Sequence, residues 1–161
     1  MIRVGILTIS DGAFWGQRED LSGQVMRELA IQLPDAEITI SKIVPDEQEE
    51  IAAVLRQWSD QQKLHLILTT GGTGLAPRDV TPEATKSVLE REAPGIAEAL
   101  RSMSLHYTKM AMLSRGVAGV RGRTLIINMP GSPKAVREYL EYLLEVLPHG
   151  INLLIEGPRE H

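Results

Sequence analysis

Four short apolar runs, at residues 3–10, 36–44, 64–70 and 123–130, alternate along the chain with stretches of helical periodicity. No other feature narrows the fold so far. "RVGILTIS" and "LHLILTT" are almost continuously apolar, the pattern of strands covered on both faces. "AEITISKIV" alternates as a strand does. Leu21, Val25, Leu29 and Leu33 form one helical stripe, stopped by Pro34. Ile51, Val54, Leu55 and Trp58 form a second, and Val136, Leu140, Leu143, Leu144 and Leu147 a third. A further helix is expected over residues 94–108 and a short strand with its turn over residues 116–122. The order β-α-β-α-β-loop-α-α-(β)-β-α predicts an α/β three-layer sandwich, with helices on both faces of a mostly parallel sheet. At 161 residues it is expected as one domain, residues 1–161. Three helix starts are marked: Asp46 as N-cap with Glu49 behind it, Thr81 before Pro82, and Ser132 before Pro133.

Composition removes several chemistries. There are no cysteines, so disulfides, thiolate zinc sites and a cysteine nucleophile are excluded. The formal net charge of -4 argues against a broad nucleic-acid face. No apolar run approaches the roughly 20 residues that span a bilayer, and "MIRVGILTIS" has no small-residue cleavage site, so a cytoplasmic protein is expected. Aromatic residues make up 4%, which implies an aliphatic core that Met103, Met110 and Met112 would help fill. His65, His106, His149 and His161 are dispersed and lack metal-ligand spacing. His65 reads as packed and His106 as a weak candidate for ligand contact.

Ligands of such sheets lie beyond the carboxyl ends of the strands. That edge collects "ISDGAFWG", "VPDE", "TTGGTGLAPRD" and "NMPGSPK". Gly71, Gly72, Thr73 and Gly74 match neither the dinucleotide nor the Walker pattern. They form either a tight strand-to-helix turn or a backbone nest for an anion. Asp79 either meets the dipole of the following helix or holds Mg²⁺ beside phosphates, with Arg78 as a direct phosphate contact. Asp46 is either an N-cap or the second carboxylate of that metal site. Ser132 and Lys134, behind Gly131 at a helix N-terminus, suggest a second anion site. Ser10 and Asp11 invite the same two readings.

Taken together, "ILTISD", "VPDE", "TTGGTGLAPRDVTPEAT", "EREAPGIAEALRSMSLHYTKMAMLSR" and "LIINMPGSPKAV" resemble the Mog/MoaB family of molybdenum cofactor biosynthesis over nearly the whole chain. The resemblance implies a Mog/MoaB-like fold, commonly a homotrimer, with a hexamer as the alternative. It implies Mg²⁺- and ATP-dependent adenylylation of molybdopterin, giving adenylyl-molybdopterin and pyrophosphate, with a molybdate-insertion protein downstream. On this resemblance Asp46 and Asp79 are the acidic catalytic and metal-binding positions. Thr73, Ser114, Asn128 and Ser132 fall on blocks tied to pterin and nucleotide binding. The rival reading is a non-catalytic molybdopterin-binding or carrier protein of the MoaB branch.

Overall fold

Side-chain alternation along three central strands builds two separate cores. A computed structural model describes residues 1–157; His161 lies outside the described residues. The first half runs β1 (Ile2–Ile9), α1 (Asp11–Phe14), α2 (Leu21–Ala30), β2 (Ala36–Val44), α3 (Gln48–Asp60) and β3 (Leu66–Thr70). The second half runs α4 (Thr81–Val88), β4 (Arg91–Glu92), α5 (Pro94–Ser104), a 3₁₀ turn (Lys109–Leu113), β5 (Ala118–Arg121), β6 (Thr124–Met129), α6 (Pro133–Leu143) and α7 (Leu147–Glu156). Val4 and Ile6, Leu66 and Leu68, and Leu125 and Ile127 face one way, onto Met26, Leu29, Leu140 and Ile151. Leu7 and Ile9, Ile67 and Ile126 face the other way, onto Ile51, Leu55 and Trp58. Each large side chain so buried contributes roughly 1.5–3 kcal/mol.

The six strands lie in the order β2-β1-β3-β6-β5-β4. The pairs β2–β1, β1–β3 and β3–β6 are parallel, while β5 and β4 add antiparallel to the far side. The expected α/β sandwich with a mostly parallel sheet is therefore found, as a mixed sheet whose edge turns antiparallel.

Several local expectations are corrected. Residues 11–14 form a helical turn within the segment expected to be loop. The buried side of α2 is Ser22, Met26 and Leu29, and Leu21 is exposed. Leu29 and Leu33 of the expected stripe are buried, and Gly23 leaves room for the Asp20 cap, since a Cβ there would stand 2.2 Å from Asp20 Oδ2. Asp46 does not cap α3; Glu47 holds that position, without a side-chain cap bond. Thr81 does not cap α4 either, since Val80 precedes the helix and Thr81 is its first residue. Ser132 does cap α6, accepting from Ala135 N at 3.4 Å. Met110 and Met112 are 67% and 65% exposed, so they do not fill the core. Leu147 belongs to α7, not to the helix before it.

Candidate active site

The strand order creates the crevice. α2, after β1, packs in one core, whereas α4, after β3, packs in the other. The loops leaving these adjacent strands diverge, and a gap opens at their carboxyl ends. Two adjoining clefts occupy it. One, of about 340 Å³, is lined by Ser10, Asp20, Asp46, Gly71, Gly72 and Asp79. The other, of about 570 Å³, is lined by Thr73, Tyr107, Met110, Ser114, Ser132 and Lys134, among others. Gly72, Asp79 and Gly131 line both.

The glycine turn between β3 and α4 is held by the chain itself. Gly71 and Gly72 have φ of 99° and 68°, a region that side chains disfavour. A Cβ on Gly71 would stand 2.2 Å from the Ile9 carbonyl oxygen. The Gly71 N–H donates to the Met129 carbonyl at 3.1 Å, so it faces the sheet and not the cleft. Thr81, fully buried, donates its hydroxyl to Gly71 O (2.9 Å) and its N–H to Gly72 O (3.1 Å). Among the described residues, the N–H groups of Gly72, Thr73 and Gly74 have no acceptor. These three are open to an anion.

Asp46 and Asp79 meet in the narrower cleft from different loops. Freed from capping, Asp46 accepts from the Asp11 N–H through Oδ2 (2.9 Å) and donates its own N–H to Asp11 Oδ1 (3.0 Å). Its Oδ1 lies 3.2 Å from where a Cβ on Gly72 would stand, and Asp79 Oδ2 lies 2.9 Å from where one on Gly74 would stand. The two carboxylates line the same cleft, and a Cβ would press on Asp46 and Thr81 if placed at 72 and on Asp79 if placed at 74. Two carboxylates completed by phosphate oxygens suit Mg²⁺. Among the described residues no cluster of three or more His, Cys, Asp or Glu has metal-holding geometry, so a metal here would depend on its substrate for the remaining ligands.

Burial pushes the Asp46 carboxyl above its ordinary value of 3.8; the Asp11 N–H opposes this, and the charges on Asp11 and Asp79 add to it. The folded protein therefore holds this proton more tightly than the unfolded chain does. The ionised form costs stability, fully once the pH exceeds the folded-state value and not at all well below 3.8. Asp46→Asn keeps an oxygen for the Asp11 N–H and removes the charge. Thermal melts at pH 7 should place this variant at or above the parent, with the gap closing as the pH falls towards 3.8. A clearly lower melt at pH 7 would show that the charged hydrogen bond outweighs burial.

Not all expected residues gather here. Ser10 caps α1 and lines the narrower cleft. Thr73, Gly74, Ser114, Gly131, Ser132 and Lys134 line the broader one. Asp11 and Arg78 line neither. Arg78 donates to both carboxylate oxygens of Asp11 (2.6 and 3.1 Å) and to Glu47 (2.9 Å). It bridges loops at the rim instead of entering the cleft, because two acids there compete for it. This ion pair holds the Asp11 carboxyl below its usual range. Asn128 is 3% exposed. It donates to Thr69 and Thr85 (both 3.0 Å) and accepts from Val117 N (3.1 Å), tying the sheet to α4 rather than meeting either large cleft. His106 folds back on the carbonyls of its own helix. His65 accepts from Arg3 N just before β3 begins, at the end of the sheet opposite the clefts.

Sequence reasoning missed Tyr107, Met110 and Leu113, which give the broader cleft its apolar wall. Their exposure, Tyr107 just after α5 and the other two on the 3₁₀ turn, leaves no periodic signal. It also missed Arg115, three of whose four bonds run to backbone carbonyls that no side-chain pattern reveals.

The family described as a probable molybdopterin binding domain matches residues 5–149. The chain is 46% identical over 153 residues to the molybdenum cofactor synthesis protein cinnamon of Drosophila melanogaster, covering 95% of this chain and 26% of that protein. The chain thus spans about a quarter of that relative's length. It is 41% identical over 169 residues to the molybdopterin adenylyltransferase of Escherichia coli (strain K12), covering 98% of this chain and 87% of that protein. The crystal structure of the molybdopterin biosynthesis enzyme MoaB from Thermus thermophilus superposes with a TM-score of 0.92 at 56% identity, covering 99% of this chain and 100% of that one.

Proposed function

This chain belongs to the molybdopterin-binding domain family, and from that membership we propose that it is a molybdopterin adenylyltransferase of molybdenum cofactor biosynthesis. One observation carries the reading: two clefts of different character meet at Gly72, Asp79 and Gly131. Transfer between two substrates needs two adjoining sites with one shared point.

The broader cleft, walled by Tyr107, Met110, Leu113 and Tyr139, suits a flat ring system. Ser132 and Lys134 at the start of α6 suit its terminal phosphate. The narrower cleft suits the triphosphate of ATP, with the N–H group of Gly72 offered to its oxygens, while Thr73 and Gly74 belong to the lining of the broader cleft. A phosphate oxygen of molybdopterin forms the new bond to the α-phosphorus of ATP, the bond from that phosphorus to the bridging oxygen breaks, and pyrophosphate leaves. Asp46 and Asp79 would hold Mg²⁺, which neutralises charge on the transferring phosphate. The chain's own contribution is to align the two phosphates across Asp79 and to supply preorganised donors.

The assembly expected from the resemblance, a cytoplasmic homotrimer, belongs to the same proposal. The open apolar hollow between Met103, Tyr107 and Tyr142 is surface available to it. No helix among the described residues is long and apolar enough to cross a membrane.

The test is pyrophosphate release by the purified chain with molybdopterin and Mg-ATP. Stoichiometric release within minutes supports the enzyme. Calorimetric binding of molybdopterin without release, and without heat from Mg-ATP, would leave a carrier.

A further inference from the structure

We propose that Arg115 is a positioning residue that sets the place of Asp79, and through it the binding of Mg-ATP; this rests on the adenylyl-transfer reading above. Arg115 lies between the 3₁₀ turn and β5, far along the chain from the glycine turn. Four bonds nonetheless run from it to that turn and to the helix after it. Its N–H donates to Thr73 O (2.8 Å), Nε to Gly74 O (2.8 Å), Nη2 to Asp79 O (2.8 Å) and Nη1 to Glu83 Oε2 (2.6 Å). The guanidinium therefore grips both ends of the segment 74–79 and the first turn of α4.

Little else holds that segment. Residues 75–78 are all exposed. Inside the segment, Asp79 N donates to Ala76 O (2.9 Å) and Ala76 N to Asp79 Oδ2 (3.0 Å), which closes a small turn but does not fix it to the sheet. The outward tie, from Arg78 to Asp11 and Glu47, is made by an exposed side chain at one position and leaves Gly74 and the Asp79 backbone to Arg115. Only a planar fork with several donors in fixed directions can reach two carbonyls and a carboxylate at once. Lysine, a point charge on a flexible stem, cannot. The contact with Glu83 is the least specific of the four, since that carboxylate is exposed at the surface.

The measurements are made on Arg115→Lys, Arg115→Met and Glu83→Gln beside the parent. First, amide hydrogen exchange in the unliganded proteins should be faster at residues 74–79 in both Arg115 variants, and unchanged in the first strand. Second, calorimetry should show Mg-ATP affinity lowered about tenfold, the loss of roughly 1.4 kcal/mol, with a smaller loss for molybdopterin, whose cleft Thr73 and Gly74 line. Third, Glu83→Gln, which keeps the three carbonyl bonds, should match the parent in both readouts. If Arg115→Met fails to fold, Arg115→Lys alone decides. Unchanged exchange at 74–79 overturns the proposal, as does an equal loss of affinity for both ligands, which would mark a merely structural role. A parent protein that binds no Mg-ATP overturns adenylyl transfer instead, and exchange at 74–79 still decides whether Arg115 holds the segment.

Discussion

Asp79→Asn is expected to lower pyrophosphate release by about 10²–10³-fold, the order lost when one preorganised charge-stabilising group is removed from a phosphoryl or acyl transfer site. Asparagine keeps the shape, and its side-chain oxygen can still accept from Ala76 N as Asp79 Oδ2 does at 3.0 Å. Only the negative charge goes. Because Asp79 lines both clefts, the loss should fall on kcat more than on the KM for molybdopterin. Asp46→Asn should act in the same direction, since its carboxylate lines the same narrower cleft. The melting temperature of Asp79→Asn should stay within a few degrees of the parent, which separates lost chemistry from lost fold. Turnover within threefold of the parent for both variants would remove the two carboxylates from the reaction.

Gly71→Ala should be the most damaging single methyl in the molecule's catalytic edge. The new Cβ would stand 2.2 Å from the carbonyl oxygen of Ile9, at a φ of 99°. That oxygen belongs to the end of a buried central strand and cannot swing aside like a side chain. The left-handed conformation costs roughly 1–2 kcal/mol for a residue with a side chain. Forced overpacking adds about 1–3 kcal/mol. For a chain of this length each kcal/mol lowers the melting temperature by about 2–4 °C, so a drop on the order of 10 °C is expected. Thermal denaturation followed by circular dichroism measures it. A drop under 2 °C would mean that the turn relaxes into another conformation at little cost, and that its glycine serves the ligand rather than the fold.

These two residues show what a sequence can and cannot disclose. The sheet was legible because alternation and continuous apolar runs are local signals, as in residues 3–10 and 64–70. α7 was not, because Leu144 and Leu147 continue the period of α6 across a real break. β4, two residues at the sheet's edge, is too short to carry a pattern. That Asp46 and Asp79 share a cleft followed from the rule that ligands gather where strands end. The fates of Asp11, Arg78 and Asn128 did not follow from anything local. Arg78 pairs with an acid 67 positions away. Asn128 meets Thr69 and Thr85 at separations of 59 and 43. Such choices of partner depend on the finished fold, and a carboxylate or amide in a loop looks the same whether it will face ligand or protein.

The strand order also has a kinetic consequence. Val4 lies opposite Leu66, and Leu66 opposite Leu125, so the centre of the sheet is stitched from widely separated parts of the polypeptide. Closing such distant pairings is slow, on the millisecond-to-second scale typical of non-local topologies. On a ribosome, the glycine turn after β3 has no anchor until Met129, Pro130 and Gly131 have emerged, because Gly71 and Thr70 hang from their carbonyls or lie against them. The ligand-binding crevice therefore cannot take shape before β6 is made, and a fragment ending ahead of Thr124 would present the bare edge of β3 where substrate should go.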